Sequence, residues 1–486
     1  MPRLEQVLAA FAAAWIALGT ASCTVEDRPI LQAGVAAVDI TPRDWPLPLI
    51  GSFRYRPATG AHDPLYSRAV VLAHGTDTVA IAIVDSCYVP RDILDAAKRQ
   101  VQATTGIPSD RMLIAATHTH TAPPPAAGVG LRGPEPVQDT KNEERYSRQL
   151  IDGIAASIAK AFETQEPAEI GWAGTELADE VFNRRWFMKD GTIPPDPFGV
   201  TSDRVRMTPP AGSPDLVKPS GPVDPEVVAL SIRTIAGEPL AVLANYSLHY
   251  VGNIPAGLVS ADYFGEFSRA MATRLHAGDR FVGILSNGTS GNINNIDFTK
   301  RRSRKQPFEQ VRNVAGKLAD VVAGSYGEIK HSTEAELAME QAEVTLMRRK
   351  PTPPILEQSR AIIQGISPSE LTRRHIYAQR AIDLHDGPDH VSVILQAVRI
   401  GDLGIAALPF ETFVETGLAI KRASPLQQTF VISLANGAEG YLPTPEHHAL
   451  GGYETWLGTS RVEIQASERI EAQLLSSLQR LANTVP

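Results

Sequence analysis

The chain has 486 residues, of which 43% are hydrophobic and 21% are charged, and this is the composition of a globular protein. The formal net charge is −8, and no run of lysine and arginine is long enough to follow the phosphate backbone of a nucleic acid. We therefore exclude nucleic acid as a partner. From the length and composition we expect one large domain over residues 30–486. Nothing in the sequence indicates a protein partner.

The first 22 residues have the pattern of an export signal. Arg3 precedes an apolar run over 7–18, and small residues lead into Cys23. The run is too short to cross a bilayer as a helix of the mature protein. Small residues before a cysteine resemble a bacterial lipoprotein site, so Cys23 is a candidate for lipid and membrane attachment; cleavage and secretion are the alternative. We predict an exported protein that is periplasmic, an outer-membrane lipoprotein or secreted.

Beyond the signal, short runs rich in valine and isoleucine alternate with helical patterns. The runs predict strands over 69–73, 79–84, 112–116, 227–232 and 240–246, and the helical patterns cover 91–104, 146–164 and 263–275. This mixture predicts an α/β or α+β fold, in which a mixed β-sheet core is flanked by helices.

Two segments depart from this alternation. Residues 188–225 are crowded with proline, glycine, aspartate and serine, and they are predicted to form a long ordered loop. Residues 334–390 carry charged helical patterns around a proline-rich breaker and are predicted to be a peripheral insertion. Cys87, in an apolar stretch, is predicted to be a buried inert thiol.

Two histidines follow the strand predicted over 112–116. Alternation along an extended chain would send His118 and His120 to the same face, where one could bind a metal and the other could support it. Two hydrogen-bonded structural histidines are an equally good explanation of this pair taken alone.

Three more polar residues follow predicted apolar strands. His249 ends the strand over 241–248 and would by itself be interpreted as structural, and Glu411 could equally cap a helix predicted over 412–422. Tyr441 follows the strand over 430–435. Polar groups that leave the ends of several strands are the usual construction of a site on a sheet, so the set as a whole favours function.

These residues resemble the catalytic domain of neutral ceramidases. The matching motifs occur in the family's order and spacing: Ala115-Ala116-Thr117-His118-Thr119-His120, His249, Leu408-Pro409 before Glu411, Tyr441, Tyr453, Asp39-Ile40-Thr41-Pro42, Asn183-Arg184 and Asp224-Pro225. The similarity extends from about residue 34 to the C-terminal helix. Neutral ceramidases are zinc amidases that cleave the N-acyl bond of ceramide. The resemblance therefore implies a zinc-dependent hydrolase that acts on an N-acylated lipid.

The resemblance also implies a role for each matching residue. Four residues would be ligands of Zn²⁺: His118, His249, Glu411 and Tyr441. Zinc lowers the pKa of a bound water towards about 7, which would supply the nucleophile. Arg184 and Tyr453 would face the substrate and stabilise an oxyanion, and His120 would pass a proton to the leaving group.

The sequence departs from the ceramidase pattern in the loop over 290–295. Ceramidases have a catalytic serine where this chain has Asn294, and an amide cannot act as a nucleophile. If water is the attacking group, Asn294 could still orient the substrate. The asparagine-rich loop leaves open a polar, carbohydrate-like substrate at the same metal site, and the lost serine leaves open a non-catalytic binding protein. We also expect the immunoglobulin-like C-terminal domain of ceramidases to be absent after the helix predicted over 467–482.

Overall fold

The computed structural model describes residues 29–50, 56–125, 140–365 and 372–483. The predicted export signal and Cys23 lie outside the described residues. The described chain forms two main β-sheets flanked by helices, so the predicted mixed α/β fold is confirmed.

The larger of the two sheets has eight strands within the described residues. In chain order they are β1 (Gln32–Asp39), β2 (Tyr66–His74), β3 (Asp77–Val84), β4 (Met112–Ala116), β5 (Glu166–Glu176), β6 (Glu226–Thr234), β7 (Pro239–Tyr246) and β8 (Val282–Asn287). Their order across the sheet is β8-β7-β6-β5-β1-β2-β3-β4. The pairs β3–β4 and β7–β8 are parallel and the other pairs are antiparallel. The five strands predicted in this region are all present.

The smaller main sheet has four strands within the described part of the chain. They are β9 (Leu337–Met347), β10 (His390–Ile400), β11 (Leu403–Ala407) and β12 (Gln428–Ile432), in that order across the sheet. The start of the segment over 334–390 is therefore a strand and not a helix, because β9 pairs along its whole length with β10. The exposed residues Gln341, Glu343 and Thr345 in β9 alternate with half-buried or buried ones, which is the two-residue period of a strand with one exposed face.

The segment predicted as a long loop over 188–225 contains short strands. Val205–Met207 and Leu216–Pro219 both pair with Arg185–Met188 in a small three-stranded sheet. Strands of three or four residues between prolines and glycines are too short to give a recognisable period. The rest of the segment is irregular, as predicted.

Helices flank the two sheets. They are α1 (Arg91–Thr105), α2 (Thr140–Glu163), α3 (Asp262–Arg274), α4 (Glu309–Tyr326), α5 (Pro353–Ile363), α6 (Arg373–Asp386), α7 (Val414–Ala423), α8 (Pro445–Leu450) and α9 (Ala466–Asn483). Helices α5 and α6 pack against each other. Among the described residues, none of the helices combines the length and the apolar character that crossing a membrane requires.

The hydrophobic core is layered. In β3, Val79, Ile81 and Ile83 point into a core shared by the two sheets. The alternate residues Ala80 and Ala82 point into a second core beneath α1 and α2. Because both faces of this strand are buried, its sequence is continuously apolar. Helices α7 and α9 cover the smaller sheet in the same way, which makes four layers.

The segment after β12 connects the two edges of the larger sheet. Ser433 donates from its backbone N–H to the carbonyl of Asn287 at the end of β8, at 3.0 Å. Asn436 donates in the same way to the carbonyl of Ile114 in β4, at 2.9 Å. The loops that follow β4, β8 and β12 are therefore brought together at one end of the molecule.

Candidate metal centre

Two histidines and one carboxylate converge where these loops meet. His118 Nε2 lies 3.0 Å from His249 Nε2. Glu411 Oε2 lies 3.2 Å from His118 Nε2 and 3.8 Å from His249 Nε2. In a tetrahedral site, ligand atoms about 2.0–2.2 Å from one zinc ion are about 3.2–3.6 Å from each other. The three atoms therefore have the spacing of ligands around a single ion.

Backbone carbonyls orient both imidazoles. His118 Nδ1 donates to the carbonyl oxygen of Cys87 at 2.7 Å, and His249 Nδ1 donates to that of Ser290 at 3.0 Å. A proton on Nδ1 leaves the lone pair of a neutral imidazole on Nε2, and both Nε2 atoms point to the common centre. His118 has a φ of 73°, an unusual angle for a residue other than glycine, so the backbone itself turns this side chain inward.

One carboxylate oxygen of Glu411 receives no hydrogen bond from the described residues. Its Oε2 is buried and has no hydrogen-bond partner among the described residues. Buried carboxylate oxygens without partners are rare because leaving one unpaired is costly. A cation at the centre would remove this cost, so the donor set fits a divalent metal.

The charges of Glu411 and His249 suit metal binding. Burial alone would raise the pKa of the Glu411 carboxyl, but His118, Tyr441 and Arg184 outweigh burial and hold that pKa below its ordinary value. Burial lowers the pKa of His249 well below its usual range, and the nearby Arg184 lowers it further. At neutral pH, Glu411 is therefore ionised and His249 is neutral, which are the forms that bind metals.

Tyr441 stands beside Glu411 because two short strands pair in parallel. Glu411 is the direct partner of Tyr441, and Thr412 is that of Leu442. The hydroxyl of Tyr441 accepts a hydrogen bond from Arg184 Nη2 at 2.9 Å. Burial raises the pKa of Tyr441, so its hydroxyl keeps its proton. Glu411 does not cap the next helix, since α7 begins at Val414 and its N-cap is Phe413.

His120 reaches the same centre by a different route from the one predicted. The strand ends at Ala116, so strand alternation does not align the two histidines. His120 Nε2 nevertheless lies 3.2 Å from His118 Nε2, because the chain turns after the strand. The ring of Tyr250 stacks on that of His120, with centroids 3.8 Å apart. Sequence analysis did not single out Tyr250, although it directly follows His249.

A buried ion network holds Arg184. Its Nε lies 3.2 Å from Glu454 Oε1, and its Nη2 donates to the carbonyl of Gly291 at 2.7 Å. The neighbouring Arg185 donates from Nη1 to Glu454 Oε2 at 2.7 Å, and both Arg185 and Glu454 are fully buried. One carboxylate thus fixes two guanidinium groups. Sequence analysis missed Glu454, which lies 270 residues from Arg184 in the chain.

The other two predicted site residues are also placed near this network. The Tyr453 ring packs edge-on against that of Tyr441, with centroids 5.8 Å apart. Asn294 lies in a two-residue strand opposite Phe182 and is 9% exposed. Its side-chain amide makes no hydrogen bond to any described residue. Asn294 therefore keeps its donors and acceptor for another group.

Gly291 allows the loop after β8 to approach Glu411. A Cβ atom at this position would lie 2.5 Å from the carbonyl oxygen of Glu411 and 2.8 Å from that of Thr412. We expect Gly291→Ala to lower the free energy of unfolding by about 1–3 kcal/mol and to weaken metal binding, because the displaced backbone carries the carbonyl that orients His249.

Gly324→Ala is the matched control for this prediction. Gly324 lies inside α4, and a Cβ there meets nothing within 4 Å. The same substitution should stabilise the protein by about 0.5–1 kcal/mol. Thermal unfolding and a metal titration measure both variants, and a Gly291→Ala protein as stable as the control would contradict the close approach.

Comparisons with known proteins show which family the chain belongs to. The model of neutral/alkaline non-lysosomal ceramidase, N-terminal, matches residues 31–300, which is more than half of the chain. The chain belongs to this ceramidase family. The resemblance inferred from short motifs is therefore confirmed. The matched region includes His118 and His249 but ends before Glu411, Tyr441 and Tyr453.

Solved ceramidase structures share the fold. The neutral ceramidase from Pseudomonas aeruginosa superposes with a TM-score of 0.69 at 18% identity, covering 95% of this chain and 76% of that chain. A structure described as ceramidase complexed with C2 has a TM-score of 0.68 at 17% identity, with the same coverage. No curated protein matches the chain. Membership of the ceramidase family identifies the protein as a hydrolase.

Proposed function

We propose that this protein is a zinc-dependent, extracytoplasmic hydrolase that cleaves the amide bond of an N-acylated lipid. The convergence of His118, His249 and Glu411 on one point carries the proposal, because two imidazoles and a carboxylate are an ordinary ligand set of catalytic zinc. Membership of the ceramidase family supports the choice of an amide in a lipid.

Zinc is not the only metal that suits this donor set. Two histidines and one carboxylate also bind iron(II) in oxygenases. We propose zinc because the family is hydrolytic, and Tyr441 as a fourth ligand because it is the strand partner of Glu411. Bound zinc would supply Lewis acidity and the means to ionise water near neutral pH. Elemental analysis of purified protein should find about one zinc per chain and no stoichiometric iron.

The surrounding residues would carry the remaining steps. Arg184, fixed by Glu454, presents a guanidinium that could stabilise negative charge on the carbonyl oxygen of the substrate. Tyr453 lies beside Tyr441 and could donate to the same oxygen. His120, whose ring stacks on that of Tyr250, would give a proton to the leaving amine. The free amide of Asn294 would orient the substrate.

Fatty-acid release from a short-chain fluorescent ceramide tests the proposal. We expect metal-loaded protein to release the fatty acid, chelation to stop release, and added zinc to restore it. Protein that holds one zinc per chain but cleaves neither this ceramide nor other N-acylated lipids would reject the substrate class. The metal site would remain intact in that case.

Replacing Asn294 tests how the bond is attacked. If water attacks, the ceramidase rate of Asn294→Ser should stay within about tenfold of the wild-type rate, since a hydroxyl can also orient the substrate by hydrogen bonding. The rate of Asn294→Ala should fall further, because alanine offers no hydrogen bond. A gain of 100-fold or more in Asn294→Ser would show that a serine nucleophile is required. Steady-state rates of the three proteins decide between these outcomes.

Two alternatives lose support from contacts at the candidate site. Asn292 is fully buried and bonds to Glu415 and to the backbone of Val414, and Asn295 bonds to Glu180 and Gln310. Two of the three asparagines are therefore used within the protein and are not available to a carbohydrate-like substrate. A non-catalytic binding protein would have no need for an unpaired carboxylate oxygen beside two oriented histidines.

The proposed location rests on the N-terminal sequence. We propose export and, at Cys23, attachment of a lipid. Cell fractionation of the wild type and of Cys23→Ala tests this, with membranes washed at high salt to remove electrostatic binding: after the wash the variant should have lost membrane association, but it should still leave the cytoplasm. Equal membrane association of both proteins would reject the lipid anchor.

A further inference from the structure

A dense cluster of positive charge lies outside the metal centre. We define the basic loop as residues 300–305, which are Lys300, Arg301, Arg302, Ser303, Arg304 and Lys305. All six are exposed, and the loop has no regular secondary structure. Five cations within six residues stand out in a protein whose net charge is −8.

Most of these cations have no acidic partner. Lys300 pairs with Asp297 at 2.7 Å, and Lys305 bonds to the neutral amide of Gln310. Arg301, Arg302 and Arg304 form no ion pair with any residue that the structure describes. Charged side chains on protein surfaces usually alternate in sign, so an uncompensated run of this density calls for an external anion.

The basic loop is held in place at its C-terminal end. The amide nitrogen of Asn253 donates to the carbonyl of Gln306 at 2.6 Å, and Phe308 N–H donates to the carbonyl of Asn253 at 3.2 Å. Gln306 N–H also donates to Glu309 at the start of α4. These hydrogen bonds attach the C-terminal end of the basic loop to the body of the protein.

This attachment links the basic loop to the loop that carries His249. Asn253 lies four residues after His249, and both Asn253 and Val251 line a cleft of about 880 Å³ together with the basic loop. Asn295, from the loop that orients His249, lines the same cleft. The basic loop therefore lies on the side of the molecule where the loops around the metal centre reach the surface.

We propose that the basic loop docks the enzyme on an anionic lipid surface. Because the protein as a whole is negatively charged, an anionic bilayer attracts it only when this loop faces the lipid headgroups. The attraction thus selects one orientation, in which the loop after His249 also faces the bilayer. A single short run fits a planar array of phosphates better than a nucleic acid, which would require cations spread along a groove.

Vesicle co-sedimentation tests the proposal without any turnover, so its outcome is independent of the bond that the enzyme cleaves. Full-length proteins, all carrying Cys23→Ala so that no lipid at position 23 contributes to binding, are mixed with vesicles of phosphatidylcholine, with or without 30% phosphatidylglycerol. We expect binding to the anionic vesicles alone, and we expect it to fall as salt is added. Each cation near an anionic surface contributes about fivefold to partitioning, so R301Q/R302Q/R304Q/K305Q should bind at least about 100-fold more weakly.

A variant with the same net charge separates local from global charge. Arg99, Arg148, Lys160 and Arg422 are exposed cations elsewhere on the surface. R99Q/R148Q/K160Q/R422Q should bind anionic vesicles within about threefold of the protein that carries Cys23→Ala alone. Equal losses in the two quadruple variants, no vesicle binding by the Cys23→Ala protein, or tighter binding to single-stranded DNA than to vesicles would overturn the proposal. Unchanged thermal unfolding of both variants would show that the comparison is between folded proteins.

Discussion

His118→Ala should abolish stoichiometric metal binding and, with it, hydrolysis. Removing a group that merely orients a metal ligand costs about 10–100-fold in affinity, so removing an imidazole at the centre should cost at least about 100-fold. The remaining ligands would be His249 and Glu411, whose donor atoms are 3.8 Å apart, and the proposed ligand Tyr441. Metal content after dialysis and a competition titration with a chelator measure the effect.

His390→Ala provides the control for this variant. His390 is exposed at the start of β10, and we expect its removal to change neither metal content nor activity. A His118→Ala protein that still binds one zinc per chain with the wild-type affinity would reject the assignment of the centre. Loss of metal from both variants would point to unfolding, which circular dichroism detects.

Glu454→Gln should be the most destabilising of the substitutions near the centre. Glu454 neutralises Arg184 and Arg185 inside the protein, and breaking a buried ion pair by removing one partner costs about 3–5 kcal/mol. The variant should keep its zinc, because Glu454 does not belong to the ligand cluster. Its hydrolytic rate should nevertheless fall, because Arg184 would no longer be held against Tyr441 and Gly291.

Glu343→Gln is the matched control for Glu454→Gln. Glu343 pairs with Arg91 at 2.7 Å, but the Arg91 side chain is 36% exposed and that of Glu343 is 51% exposed, and solvent-exposed pairs contribute about 0–1 kcal/mol. Chemical denaturation of both variants compares the two pairs directly. A Glu454→Gln protein that loses no more stability than Glu343→Gln would show that the two arginines are neutralised by other means.

The sequence was sufficient to predict the strands that carry the histidines. Val79 to Val84 are apolar at every position because both faces of β3 are covered, and the same holds for Met112 to Ala116 in β4. It was not sufficient for β9, where Glu340 and Glu343 are spaced as they would be on one face of a helix. Burial alternates along β9 because its pairing with β10 turns one face towards the core, and this pairing is not visible in the sequence.

The geometry of the centre depends on features that leave no pattern in one sequence. The carbonyls of Cys87 and Ser290 orient the two imidazoles, and a backbone carbonyl is present whatever the side chain. Ser433 and Asn436 connect strands that are distant in the chain. Resemblance to a known family named the candidate ligands, whereas periodicity alone left each one with a structural explanation.

The parallel pairing of Glu411 with Tyr441 has a consequence for how this centre could diverge. Adjacent strands are about 4.8 Å apart whatever side chains they carry, so the main chain sets the distance between these two positions. A donor of another type at position 441 would project from the same place without moving the carboxylate. Related proteins could therefore alter the metal preference or the open coordination position by a single substitution, while the rest of the fold stays unchanged.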